Sequence, residues 1–396
     1  MKKALVVLLI LAIAGGLFAQ ELTWSGAVKT GLRFSVDDDD TNGEDPEISI
    51  YNDDADRISR FDLNAAYTKD NYGLVFRLRT DVNDGLTPTL HQAYGWVTFL
   101  DGVVKTSAGK IADGTWGTGG LKNYTVSGTG LRLEVNPIEG LSAGLVLNVP
   151  VLPSLTVKQF FSEIILGAKY SNDLFWLAGA VFIDSTIDGL NGFGYWDYFP
   201  DDLISNPVAS ILPLDPATGK VIPGTSAYEG TADQGLTFQA GVGVTPIPGL
   251  AISAEAKGFN VSKFADYGYI VFDEDVSYKL LDDKLTVGIN SFQYLFGEDW
   301  TKVAGGYNGE SLKPYIKITP YVGYDVLDNV NVGIEGTIGL WQDFYETKFS
   351  IKPKITYQIT EGTTLAAYYE FDVKKYKDAP EDVKSSAIQL DLIWTF

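Results

Sequence analysis

The chain has no cysteine, one histidine and one methionine in 396 residues. Without cysteine there can be no disulfide framework and no anchoring through a lipidated cysteine. With His91 as the lone histidine, Ser–His or Asp–His catalysis would have to use that residue, and no Gly-x-Ser-x-Gly turn singles out a serine beside it. A histidine opening a strand (His91-Gln92-Ala93-Tyr94) reads as a rim residue, so no enzyme activity and no cofactor are expected. Basic residues are also few: 30 Lys and Arg stand against 51 Asp and Glu, a formal charge of −21. Such a chain is poorly suited to nucleic acid, whose phosphates are bound by Lys and Arg. The chain also lacks a run of about 20 apolar residues, so helical spanning of a membrane is excluded. The one apolar stretch near that length, Ala4 to Leu17, follows Lys2-Lys3 and precedes Phe18-Ala19. Those are the basic, apolar and small-residue parts of a cleaved export signal. Residues 1–19 are expected to be that signal and 20–396 the mature chain.

What is present points to strands. Gly (42), Tyr (22) and Phe (21) are abundant, and aromatic content is 13%. The last stretch is the most regular: Ile388, Leu390, Leu392, Trp394 and Phe396 alternate with Gln389, Asp391, Ile393 and Thr395. Period two marks a strand with two different faces. The pattern repeats upstream. Thr347, Phe349, Ile351, Pro353, Ile355, Tyr357 and Ile359 share one face, and Lys348, Ser350, Lys352, Lys354, Thr356 and Gln358 share the other.

Turn chemistry punctuates these strands at 69–72, 100–102, 136–140, 171–173, 246–249, 281–283, 325–329 and 360–362, all rich in Gly, Pro, Asp or Asn. Eight hairpins, a first strand over Leu22–Val36 and the last strand predict about eighteen strands. Sixteen is the alternative, because 149–182 parses least cleanly. Eighteen strands closed into a barrel enclose a lumen too wide for side chains to fill. Water then occupies the inside, so the apolar face points outward into lipid, and closure satisfies every backbone group there. The predicted fold is all-β: a transmembrane antiparallel up-and-down β-barrel with short turns and both termini on one side. Trp24, Tyr67, Tyr94, Trp96, Phe175, Tyr324, Tyr357, Trp394 and Phe396, near strand ends, are expected to form its aromatic girdles.

Three loops on the far side stand out. The segment 37–56 holds ten acidic residues and no basic one, and 184–233 is long, aromatic and proline-bearing. The third, 112–123, is short and Gly-rich. Within the first, Asp38, Asp40 and Asn42 match the opening of a calcium loop. The twelfth position is Ser49 rather than Glu, so a solvated acidic loop is the favoured reading and no metal is expected.

Chemistry is expected in the lumen. The face opposite the apolar set carries Lys29, Arg33, Arg60, Arg77, Arg79, Lys313, Lys317, Lys348, Lys352 and Lys354, with Asp62, Asp81, Glu335, Glu370, Asp372 and Asp391 among them. Closure sets the last strand beside the first, so these residues form one mildly basic wall. Asp391 is expected to face Lys29 or Arg33 across that seam. The bland reading is that these charges pair locally. The sharper one is a transverse field, with the acidic loop folded inward opposite the wall and sorting polar solutes.

The layout resembles the bacterial outer-membrane porins, general diffusion channels. The resemblance covers signal, strand number and the terminal Phe396; its specific motifs are Ile388–Phe396 and, less strongly, Gln92-Ala93-Tyr94 with the hairpin that follows. It implies an outer-membrane location, contact with outer-membrane lipid, recognition of the last strand by the barrel-assembly machinery, and a homotrimer. The function it implies is passive diffusion of small hydrophilic solutes through a water-filled channel. Two other functions compete: a substrate-specific channel, for sugars sliding on Trp and Tyr, gated by 184–233; and an adhesive or structural surface barrel without transport. In those porins the third far-side loop folds into the pore. Here that segment is short, so narrowing is expected from 184–233 or the acidic loop instead.

Overall fold

A computed structural model describes residues 22–37, 47–50, 60–81, 88–111, 116, 129–149, 163–184, 236–259, 261–262, 269–296, 315–341, 346–376 and 382–396. They form one continuous antiparallel sheet of nineteen strands. In chain order these are β1 (Leu22–Asp37), β2 (Glu47–Ile50), β3 (Arg60–Lys69), β4 (Tyr72–Asp81), β5 (Thr89–Phe99), β6 (Val104–Lys110), β7 (Thr129–Ile138), β8 (Leu141–Val149), β9 (Glu163–Ser171) and β10 (Phe175–Asp184). There follow β11 (Leu236–Ile247), β12 (Leu250–Phe259), β13 (Tyr269–Leu280), β14 (Leu285–Phe296), β15 (Tyr315–Leu327), β16 (Val330–Trp341), β17 (Glu346–Thr360), β18 (Thr363–Tyr376) and β19 (Val383–Thr395).

Each strand pairs with its sequence neighbours, and β1 pairs with β19, so the sheet closes on itself. β2 and β3 lie against different halves of β1: Leu32–Ser35 pairs with β2, and Leu22–Lys29 with β3. Together they make one stave, and the barrel has eighteen. The described residues of 149–182 lie in β8, β9 and β10 and the turn between the last two, which decides eighteen over sixteen. Part of the acidic segment is thus strand rather than loop, because Ile48 and Ile50 continue the alternation that β1 needs on its outer half.

All eight expected hairpin turns are present on one rim. They are tight because several residues take left-handed backbone: Asp70, Leu100, Asp101, Leu281, Asp282 and Asp283 have φ between 47° and 65°. At Gly140 (φ 78°) only glycine fits, since a Cβ would run into the Ser171 carbonyl of the neighbouring turn.

Register fixes which way each side chain points, because partners across a ladder share a face. Leu32 faces Leu390, Phe34 faces Ile388 and Ile334 faces Pro353, and this set is exposed on the outside of the barrel. Dozens of large apolar residues lie exposed in this way, a surface stable only in hydrocarbon, where each fully covered Leu, Ile or Phe is worth about 1.5–3 kcal/mol relative to water. The barrel is therefore a membrane-spanning one. The closing seam ends in a reciprocal pair: the Gly26 amide donates to the Phe396 carbonyl at 2.9 Å, and the Phe396 amide returns the bond at 3.1 Å. The ring of Phe396 occupies the space that a side chain at Gly26 would fill, beside Trp394 at 5.1 Å between centroids. Trp24, Tyr67, Phe175, Tyr324 and Tyr357 share the outer face by register and reinforce the rim. Tyr94 and Trp96 do not. They pair with Val75 and Gly73 on the inner face, so their expected place in the girdle is corrected to the lumen.

One feature of the outer face breaks the pattern. Glu274 pairs with Ala254 and Ser291 on the lipid side, midway along β13 between Phe272 and Val276. The Gln293 amide donates to its carboxylate at 3.4 Å and to the Ser291 hydroxyl at 3.3 Å.

Candidate functional site: a charged lumen

The inner face of β15, β16, β17, β18, β19, β1, β3 and β4, consecutive around the barrel, presents the basic wall read from the sequence. Register puts Lys317 (β15), Glu335 (β16), Lys348, Lys352 and Lys354 (β17), Glu370 and Asp372 (β18), Asp391 (β19), Lys29 and Arg33 (β1), Arg60 and Asp62 (β3), and Arg77 and Arg79 (β4) on that one face. The side chains of Lys313 and Asp81 lie outside the described residues, as do Asp38, Asp40 and Asn42. Among the described residues no group of three His, Cys, Asp or Glu side chains could hold a metal ion.

The wall divides into two kinds of contact. Over β17 to β1 cations meet carboxylates or lie on rings. Lys348 reaches Asp372 at 3.4 Å, Arg33 reaches Glu370 at 3.8 Å, and the Lys352 ammonium sits 4.2 Å from the Tyr368 ring centre. Asp391 is buried opposite Gly31, diagonal to both Lys29 and Arg33, and accepts a hydrogen bond from Gln389 at 2.8 Å.

Over β3 and β4 three guanidiniums converge on one carboxylate. Arg60 Nε donates to Asp62 Oδ2 at 2.9 Å, Arg77 Nη2 to Oδ2 at 3.1 Å and Nε to Oδ1 at 3.4 Å, and Arg79 Nε to Oδ1 at 2.9 Å. Lys29 pairs with Arg60 in register on the same face. His91 is the extra residue of a β-bulge opposite Arg77 and Leu78, within electrostatic reach of Arg77, Asp62 and Arg60. A bulge re-aims its residue, here into the charged wall rather than at the rim.

The structure also holds an acidic wall that the sequence reading missed. Glu255 on β12 pairs with Asp273 on β13, and Asp275 lies one step along the same face. Asn290 donates to Asp273 at 2.6 Å, and the Tyr321 hydroxyl to Asp275 at 3.1 Å. β4 and β13 lie half-way round the eighteen staves from each other, as do β3 and β12. Arg77 and Asp275 stand equally far along their strands from the short-turn rim, and so do Arg79 and Asp273. The lumen thus carries opposite charge on opposite sides at one height, built entirely from strands. The sequence reading sought the acidic partner in 37–56, whose side chains are outside the described residues apart from Ile48. The signal that could have found it is Asp273-Glu274-Asp275, where period two sends the outer pair inward.

A second correction concerns the third far-side loop. Trp116, from the short Gly-rich segment, is 3% exposed and lies inside the barrel against the inner face of β8 and β9. Its indole Nε1 donates to Ser142 Oγ at 3.0 Å, and it packs on Val146 and Ile165. Gly144 and Gly167 pair in register there, and the indole fills the space that a Cβ on Gly167 would need. So Trp116, the described residue of this segment, does reach the inner face, although the segment's length argued otherwise. A large apolar residue among small ones, and a glycine pair to receive it, are the signals that could have told. The same device recurs around the wall: Trp96 lies over Gly73, Trp176 over Gly243, Tyr321 over Gly288 and Tyr315 over Gly339. These rings cover the sheet.

Closed strands, an apolar outside and a charged inside define a membrane-spanning β-barrel. No protein-family model and no curated protein matches the chain. Among solved structures, the chain is similar over 95% of its length to outer-membrane expressed OmpT of Vibrio cholerae (14% identity, TM-score 0.46, 97% of that chain). It is likewise similar, over the same share, to a triple mutant of Rhodopseudomonas blastica porin (14%, 0.46, 100% of that chain) and to the outer-membrane channel DcaP of Acinetobacter baumannii (10%, 0.49, 97% of that chain).

Proposed function

We propose that the protein is an outer-membrane channel through which small hydrophilic solutes diffuse passively. The observation that carries this is the inner face of an eighteen-stave barrel: charged and polar on opposed walls, with its large rings laid against the sheet. Such a lumen is hydrated, and solutes cross it without any bond being made or broken. Size is limited by what projects inward, of which Trp116 is the described part, and charge preference by the two walls. On this reading residues 1–19 direct export, and the Ile388–Phe396 face is the address read by the barrel-assembly machinery. Assembly as a homotrimer is a further part of the proposal. Planar-bilayer recording of the purified, refolded protein tests the channel: stepwise currents are expected. Silence over repeated insertions would replace this reading with that of a structural or adhesive barrel.

A further inference from the structure

We propose that Arg77 and Arg79 form a binding site for a dianionic solute, a dicarboxylate or a phosphate, in transit through the lumen. The inference rests on the channel reading and deepens it.

The starting point is an imbalance. Elsewhere on the basic wall a cation meets a carboxylate of its own: Arg33 meets Glu370 and Lys348 meets Asp372. At Asp62 one carboxylate meets three guanidiniums. Its two oxygens accept four hydrogen bonds, and a carboxylate has about four lone-pair positions, so Asp62 is saturated. Both bonds from Arg77 use Nε and Nη2, and the bond from Arg79 uses Nε alone. The remaining edges, Nη1 of Arg77 and both Nη atoms of Arg79, cannot be satisfied by Asp62. Among the described residues no other acceptor takes them.

The geometry turns that surplus into a site. Arg77 and Arg79 alternate along β4, so both project into the lumen about 6–7 Å apart at the backbone. Asp62 grips each fork from behind and holds it in place, which removes much of the ordering cost a ligand would otherwise meet. Their side chains are 26% and 13% exposed, sheltered enough to strengthen a charge-assisted bond yet open to solutes. Two forks at this spacing match two negative groups on one small molecule, or several oxygens of one phosphate. A monocarboxylate brings one negative charge to this pair of forks, where a dianion brings two. The opposite wall carries Glu255, Asp273 and Asp275, and the lysine on that face of β12, Lys257, is buried.

The test uses the full refolded barrel in planar bilayers in potassium chloride, with succinate, inorganic phosphate and acetate added separately at equal ionic strength. Saturable block by succinate or phosphate, at concentrations at least tenfold below those at which acetate acts, is expected, and whichever blocks better identifies the class. Arg77→Gln with Arg79→Gln should raise the half-blocking concentration at least tenfold. Arg77→Lys with Arg79→Lys, which keeps charge and loses the forks, should fall between. Lys169→Gln, on the β9 wall, should leave block unchanged. Equal effects of all three anions, or a midpoint that the Gln pair does not move, would overturn the site while leaving the channel intact. If the wild-type barrel passes no current, the channel reading fails separately. Calorimetry of the barrel in detergent then decides the site: heat with succinate or phosphate that the Gln pair abolishes supports it, and no heat in the wild type refutes it.

Discussion

The two charged walls of the lumen are built in opposite ways. The acidic one is local: Glu255, Asp273 and Asp275 come from two strands that follow each other in the chain. Two of its carboxylates, Asp273 and Asp275, are met by neutral neighbours, Asn290 and Tyr321. The basic one joins strands from the two ends of the chain, which meet only because β19 closes on β1. Its arginines crowd one buried carboxylate, and the surplus is left facing the lumen. A wall assembled through closure can gather more charge than any single hairpin supplies. The difference teaches that charge preference in this barrel depends on the seam as much as on local sequence.

The comparison can be broken at its most loaded point. Asp62→Ala removes the only described carboxylate among three guanidiniums and should destabilise the barrel by about 3 kcal/mol, the low end for breaking a buried ion pair because lumen water screens the charges. Asp275→Asn keeps a hydrogen-bond acceptor for Tyr321 and should change stability by less than about 1 kcal/mol. Equilibrium urea unfolding in lipid vesicles reads both, and equal losses would mean the walls are not built differently. Next in size are reversal potentials in a salt gradient. Arg77→Ala with Arg79→Ala should shift the channel toward cations, and Asp273→Asn with Asp275→Asn toward anions. Unchanged potentials in both would show that the walls pair locally and set no transverse field.

Trp116→Ala should raise single-channel conductance by up to about twofold, because an inward-reaching group limits the open cross-section. Gly167→Leu, which takes the indole's place on β9, should do the same without touching the loop. An unchanged conductance in both would show that Trp116 does not border the path. The smallest effect belongs outside the lumen. Glu274→Leu should stabilise the barrel by about 1 kcal/mol in vesicles, since an acidic side chain on the lipid face is mildly unfavourable. A loss of stability instead would mean that this outer patch is covered by something polar.

Much of this molecule could be read before its structure was known. Period two in strands such as β17 and β19 settles which residues face lipid, and tight-turn residues at eight places settle the hairpins. The described members of the basic wall all followed from that parity. Where reading failed, local pattern was broken or silent. Asp273-Glu274-Asp275 interrupts alternation, so its two-faced role is visible only when β12 and β14 fix the register. Tyr94 and Trp96 sit near a strand end as girdle residues do, yet parity with Gln92 and Thr98 sends them inward.

By itself, then, the sequence determined the eight hairpins, the two faces of the regularly alternating strands and the place of Phe396 on the apolar face of the last one, because these rest on alternation and turn chemistry within a few residues. Tertiary structure alone decided three things: that Arg77 and Arg79 share Asp62 with Arg60, that Asp273 and Asp275 stand half a barrel away at the same height, and that Trp116 seats on Gly167. Each depends on which strands become neighbours or opposites once the sheet closes, and closure is a property of the whole ring of hydrogen bonds rather than of any segment.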